Sequence, residues 1–113
     1  MKEALAEFLR HLALERNASE LTIKAYREDL TQALDFFTER GLAQVTQLSS
    51  RQLRAFTVWL HEQQYAKTTV ARRLAALRSW LRFLCRQGVL AANPADGLRS
   101  PRQEKKLPTF LTE

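Results

Sequence analysis

The feature that most restricts this chain is a stripe. Val70, Leu74, Leu77, Leu81 and Leu84 recur at steps of four, three, four and three residues, the spacing that lines side chains up on one face of an α-helix. A strand needs alternation with a period of two, and the stretch between Lys67 and Gly88 does not supply it. Helix breakers are scarce everywhere, with three glycines and three prolines in 113 residues. The stripe therefore predicts a long helix that follows the loop Gln64-Tyr65-Ala66-Lys67. Thr68 or Thr69 is its expected cap, Gly88 its end, and Trp80 falls at the edge of its apolar face.

Three more segments carry the same periodicity. A first helix is predicted from about Lys2 to Glu15, with Leu5, Phe8, Leu9 and Leu12 on one face. A second follows Asn17-Ala18-Ser19, where the Ser19 hydroxyl can accept an orphan backbone N–H; Ile23, Tyr26, Leu30, Leu34 and Phe37 form its stripe, and Gly41 stands where a left-handed cap belongs. A third starts at Ser49, with Gln52 at capping-box spacing. It buries Leu53, Phe56, Trp59 and Leu60 and ends near Gln63 or Gln64. Beyond Gly88, Val89-Leu90 reads as a short anchor, and Asn93-Pro94 and Asp96-Gly97 read as turns. The stretch Ser100 to Lys106, with Pro101, Arg102, Glu104, Lys105 and Lys106, has linker composition. Thr112-Glu113 resembles a helix start, which reads as the entrance to a further domain. The expected fold is all-α, four main helices and a short C-terminal piece in one domain. A chain of this size buries roughly two-thirds of its unfolded surface and needs no staples.

Charge is unevenly divided along these helices. Residues 1–39 hold five basic and eight acidic side chains; residues 40–113 hold thirteen basic and four acidic, and the whole chain carries +6. Thirteen of the cations are arginine, whose planar fork matches phosphate oxygens and guanine edges. At 100° per residue Arg72, Arg82 and Arg86 lie opposite the leucine stripe of the fourth helix, while Arg73 and Arg78 flank it.

Several function classes drop out on the same residues. The single cysteine, Cys85, forms no intrachain disulfide, which fits a reducing, cytoplasmic setting. His11 and His61 stand far from it and from each other, without the close pairs of a zinc site, so no metal is expected. Gly41, Gly88 and Gly97 are isolated and build no phosphate-cradling loop. Apolar runs reach only four residues, as in Leu74 to Leu77, too short for a membrane span. The charged start, with Lys2, Glu3, Glu7 and Arg10, is unlike a secretory signal. Glu28-Asp29 are adjacent and splay around their helix, which reads as a solvated face rather than an acid–base dyad. Tyr26 and Tyr65 read as core and loop aromatics, not nucleophiles.

What remains is a pattern suited to nucleic acid. A helix entering a groove wants short polar residues at its N-terminus and cations along its flank. Lys67-Thr68-Thr69-Val70-Ala71-Arg72-Arg73 has that form, and Thr22-Ile23-Lys24-Ala25-Tyr26-Arg27 has it less strongly. Capping threonines beside solvated cations are the plainer reading of both.

At this point the residues meet a resemblance. Ser19-Glu20-Leu21-Thr22-Ile23-Lys24-Ala25-Tyr26-Arg27-Glu28-Asp29-Leu30 resembles the S-x-x-T-x-x-x-Y-x-x-D-L opening of tyrosine recombinases, the Xer-type and phage-integrase family. Lys67-Thr68-Thr69, with Arg72-Arg73-Leu74-Ala75-Ala76-Leu77-Arg78 and Trp80-Leu81-Arg82-Phe83-Leu84, is similar to the family's T-x-x-R-x-L-x-A-L-R-x-F-x-x-F-L segment. Asn93-Pro94, Leu107-Pro108 and Leu111-Thr112 resemble the exit from its first domain, so the likeness covers essentially the whole chain.

The resemblance implies a SAM-like core-binding domain, a four-to-five-helix bundle of two crossed helical hairpins, over residues 1–98. Residues 99–113 would be a linker toward a C-terminal catalytic domain. It implies binding of double-stranded DNA at a recombination site beside other recombinase subunits. The parent reaction is cleavage through a 3′-phosphotyrosyl bond, exchange and religation, with no cofactor; the arginines, histidines, lysine and tyrosine that perform it belong to the other domain, and none is carried over here. In the family the second and fourth helices lie toward the major groove. By position, this gives Thr22, Lys24 and Arg27 on helix two and Lys67, Thr69, Arg72, Arg73 and Arg78 around helix four. Arg72 is the expected base reader; Arg73 and Arg78 suit phosphates. Ala25 departs from relatives that place a larger contact residue there, which weakens base reading by helix two. In the first helix, Ala4, Leu5 and Leu12 serve either a neighbouring subunit or the core. The isolated domain is expected to be monomeric. Two other readings stay open: a stand-alone helix-turn-helix regulator and a protein-interaction bundle. The Gln64 to Lys67 connection lacks a glycine turn and helix four is long for a recognition helix, which counts against the former.

Overall fold

The computed structural model describes residues 1–97. The expected boundary at residue 98, the linker over 99–113, and the Leu107-Pro108 and Leu111-Thr112 pairs lie outside the described residues. Four α-helices make up the fold: α1 (Lys2–Leu14), α2 (Glu20–Glu39), α3 (Ser50–Glu62) and α4 (Lys67–Arg86). Short 3-10 turns sit at Val45–Gln47 and Pro94–Gly97, and there is no strand among the described residues. The all-α expectation holds.

Helix ends fall where side-chain chemistry puts them. The Thr22 backbone N–H donates to Ser19 Oγ at 3.1 Å, capping α2. The Ser49 N–H donates to Gln52 Oε1 at 2.8 Å, the Gln half of the predicted capping box on α3. Gly41 and Gly88 take φ of +92° and +80° just past α2 and α4, a conformation that costs glycine little. One start differs from expectation. Ala66, which has no capping side chain, precedes α4, and Thr68 and Thr69 lie inside its first turn. Gln64 is the reason: with φ of +64° it turns the chain directly after α3, and the backbone is already helical at Lys67.

α1 pairs with α2 and α3 with α4, and the two hairpins meet through α1 against α4, α2 against α4, and α2 against α3. The predicted stripes supply most of the core. Leu5, Phe8 and Leu12 are buried from α1; Leu30, Leu34 and Phe37 from α2; Leu53, Phe56 and Leu60 from α3. Leu5 and Leu12 therefore serve the core, the second of the two roles expected for α1.

On α4 the buried arc is wider than its stripe. Trp80, placed at the edge by periodicity, is fully buried, and its Nε1 donates to the Ala4 carbonyl at 3.3 Å. Ala76 and Phe83 are buried on the same side, and the Phe83 ring lies 5.3 Å from Phe8 and 4.9 Å from His11. A stripe drawn for one neighbour misses this, because α4 packs on α3 along one flank and on α1 and α2 along the other. Past Gly88, Leu90 is buried while Val89 stays exposed, so only half of the expected anchor is used. The Pro94–Gly97 turn is fastened to α3 by the Ser50 hydroxyl, which donates to the Pro94 carbonyl at 2.8 Å.

Candidate nucleic-acid interface

α2 and α4 meet along a polar seam. Its centre is Asp29, 3% exposed and the one buried charged residue among the described residues. A lone carboxylate there would be expensive to bury, and α4 answers it with arginine. Arg72 docks side-on: Nε donates to Asp29 Oδ2 at 3.1 Å and Nη2 to Oδ1 at 3.0 Å. That is the bidentate geometry in which an arginine–carboxylate pair is strongest. Half of the Arg72 side chain, 56%, stays in contact with solvent.

Its neighbour behaves differently. The Arg73 side chain is only 19% exposed and sends Nε to 3.7 Å from Asp29 Oδ1, an ion pair without a hydrogen bond. Arg73 Nη1 donates to Gln32 Oε1, and its guanidinium carbon sits 4.5 Å from the centre of the Tyr65 ring. Gln32 Nε2 in turn donates to the Tyr65 hydroxyl at 3.0 Å. Five residues from α2, the α3–α4 loop and α4 thus form one network.

Beside this network lies an open groove of about 230 Å³, lined by Thr22, Ala25, Tyr26 and Asp29 from α2 and by Arg72, Ala75 and Ala76 from α4. Thr22, Tyr26, Asp29 and Arg72 supply its polar groups, and the three alanines the rest. About one turn before Arg72 along the helix lies the start of α4. The first helical bond there runs from the Val70 N–H to the Ala66 carbonyl at 3.0 Å. The N–H groups of Lys67, Thr68 and Thr69 precede it and lack a capping side chain among the described residues. Free N–H groups at a helix start, with the positive end of the helix dipole, suit an anion.

The eight expected contact residues do not all share this place. Thr22 and Arg72 line the groove, and Lys67 and Thr69 occupy the first turn of α4. Lys24 is exposed on α2. Arg27 is exposed too, but lines a second groove of about 550 Å³ between α2 and α3, with Glu28, Asp35, Phe36 and Trp59 among its walls. Arg73 turns inward into the network. Arg78 is half-buried on the opposite flank, against Leu53 and Thr57 of α3 and beside Ala95.

Asp29, Gln32 and Tyr65 were not singled out from the sequence. Reading Glu28-Asp29 as a solvated pair holds for Glu28, which is exposed, and fails for Asp29. The signal was present in spacing: Asp29 lies three residues after Tyr26 and four before Ala33, inside the buried stripe of α2. Among the described residues no group of three or more His, Cys, Asp or Glu is placed to hold a metal ion, and no helix is long and apolar enough to cross a membrane.

Comparison with known proteins agrees with this architecture. Tyrosine recombinase XerC of Roseiflexus castenholzii is 42% identical over 112 residues, covering 99% of this chain and 36% of that protein. XerC of Roseiflexus sp. strain RS-1 is 40% identical over the same shares of the two chains. XerC of Natranaerobius thermophilus is 39% identical over 113 residues, 99% of this chain and 38% of its own. The chain thus spans only about a third of the length of these curated relatives. No solved structure matches significantly. The sequence profile of one domain family matches residues 5–88, which run from α1 through α4 to its glycine cap. On that match the chain belongs to the phage integrase N-terminal SAM-like domain family.

Proposed function

We propose that this chain is the core-binding domain of a tyrosine recombinase, and that it holds double-stranded DNA on the face formed by α2 and the start of α4. The observation that carries the reading is the exposed α2–α4 groove, lined by a half-exposed arginine that follows the uncapped start of its helix by about one turn. Arg72 is the base-reading residue, with Thr22 and Thr69 as short polar neighbours. Lys24, Arg27 and Lys67 hold phosphates, and Arg78 reaches the backbone from its own flank. Arg73 acts from within the seam. Residues 1–98 form the binding unit and 99–113 the linker. The chain binds and does not cut; strand cleavage and religation by a tyrosine belong to a separate catalytic domain, and other recombinase subunits share the site. An arginine, a lysine, a His-x-x-Arg motif and a late tyrosine encoded after Glu113 would distinguish this from a stand-alone regulator.

A salt titration tests the binding. Each phosphate contact releases counterions, so the logarithm of duplex affinity should fall with log salt by roughly 0.9 per contact. Lys67→Ala should reduce that slope by about one contact and weaken all sequences alike. Arg72→Ala should instead relax preference at one base pair, by about 1–3 kcal/mol for a bidentate guanine contact. Binding that ignores salt, or is absent at low salt, rejects the DNA reading and favours a protein-interaction bundle.

A further inference from the structure

We propose that Asp29 is the positioning residue for base recognition: a buried carboxylate that locks the Arg72 guanidinium side-on and so aims its remaining edge at a single base. The inference rests on the DNA-binding reading above and adds a residue that touches no DNA.

A guanidinium has five N–H groups. Asp29 takes two of them, Nε–H and one on Nη2. Three are left: one on each of Nη1 and Nη2 makes up the end-on edge of the fork, and the second on Nη1 points back toward the stem. They form no hydrogen bond among the described residues, and Arg72 lines the open groove. An end-on edge carries two parallel donors, which match the O6 and N7 acceptors of guanine in the major groove. The side-on edge is closed to any ligand while Asp29 holds it.

Burial fixes the direction of this arrangement. Asp29 is 3% exposed and Arg72 is 56% exposed. If Arg72 left for a distant phosphate, the carboxylate would keep only the Arg73 Nε, at 3.7 Å and without a hydrogen bond. Arg73 is itself held by Gln32 and the Tyr65 ring and is not free to replace it. The pair therefore stays closed while DNA is bound. An arginine on a free stem loses rotamer freedom when it binds; this one has been ordered by folding. A fixed fork reads one position and tolerates little displacement, whereas a free one follows phosphates on any sequence. Both are arginine contacts, and the carboxylate decides between them.

The experiment is selection of a randomised duplex DNA pool by the full 113-residue chain and its variants, followed by sequencing. The wild type should enrich a G·C pair at one position. Asp29→Asn should lower preference at that pair by roughly tenfold, within the range of a bidentate contact. Its binding to the unselected pool should be unchanged or a few-fold tighter, since one negative charge is gone. Combined with Arg72→Ala, it should add no further loss at that pair. Full retention of the preference in Asp29→Asn overturns the proposal, as does an equal loss at every position. An Arg72→Ala variant weakened alike on all sequences makes Arg72 a phosphate contact and also overturns it. If Asp29→Asn melts below the assay temperature, Asp29→Glu takes its place: it keeps the charge, moves the fork by about one bond length, and should keep the salt slope while losing the G·C preference. A Glu variant with the preference intact overturns the role of Asp29. A wild-type chain with no salt-dependent duplex binding rejects the DNA reading itself, a separate result from wild-type selection that Asp29→Asn leaves untouched.

Discussion

The two halves of α4 are held to the rest of the molecule by different physics. From Ala76 to Leu84 the helix is fixed by burial: Trp80 and Leu81 are fully inaccessible, Leu77, Phe83 and Leu84 nearly so, and the Trp80 indole also reaches the Ala4 carbonyl. From Lys67 to Arg73 only Val70 is buried in the core, and the rest of the hold is charge, through two arginines on one carboxylate, a glutamine and a tyrosine. Apolar contact is nondirectional and scales with area. Ionic hydrogen bonds return little net stability once desolvation is counted, but they set orientation. Apolar packing and the orienting of side chains are thus separated along a single helix. The C-terminal half holds the fold, and the N-terminal half holds side chains at defined angles.

The largest expected effect comes from the apolar half. Trp80→Ala removes the largest fully buried side chain and leaves a cavity bordered by α1, at a cost of about 3–5 kcal/mol. In a domain of this size that lowers Tm by roughly 12–20 °C. Circular dichroism melts measure it directly. A loss below about 1 kcal/mol would mean that Trp80 is dispensable and that the two halves do not differ in kind.

Next in size is the polar half itself. Asp29→Ala leaves the Arg73 guanidinium without an anion and Arg72 without its anchor. Hydrogen bonds to charged groups contribute about 1.5–3 kcal/mol when lost, and the exposed side of Arg72 keeps the figure toward the lower end. Urea unfolding should show a lower midpoint with an unchanged slope. A loss as large as that of Trp80→Ala would show that the seam, not the apolar end, dominates stability.

The sequence made the apolar half nearly legible and the polar half only in outline. Four stripes, the Ser19 cap, the Gln52 half of the capping box and the two glycine ends were all readable, because each depends on residues within a turn or two of one another. Trp80 was misplaced because a single stripe has one direction, and α4 has neighbours on two flanks. Arg73 shows the same limit more sharply. It lies only about 40° from Leu77 at 100° per residue, well inside the arc that Trp80 and Phe83 widen. The sequence-based reading put it at the flank of the stripe; the structure turns it into the network with Asp29, Gln32 and Tyr65. Those partners come from α2 and the loop, more than thirty residues away in two cases, and no local pattern names them.

The smallest expected effect separates the two arginines that share Asp29. Arg72 makes both hydrogen bonds; Arg73 stands at 3.7 Å with its Nε buried and unpartnered. Methionine keeps most of the length of the Arg73 stem, which is the part that packs, and removes a buried donor whose satisfaction the fold never completes. Exchanging a poorly paired buried charge for an apolar group of similar shape is often neutral. Arg73→Met should therefore change stability by less than about 1 kcal/mol, since Arg72 keeps the carboxylate paired and Gln32 retains the Tyr65 hydroxyl. Chemical denaturation of Arg73→Met beside Asp29→Ala makes the comparison. If Arg73→Met costs as much as the loss of Asp29, the 3.7 Å contact is an equal partner in the pair, and the fork of Arg72 is no longer what fixes the seam.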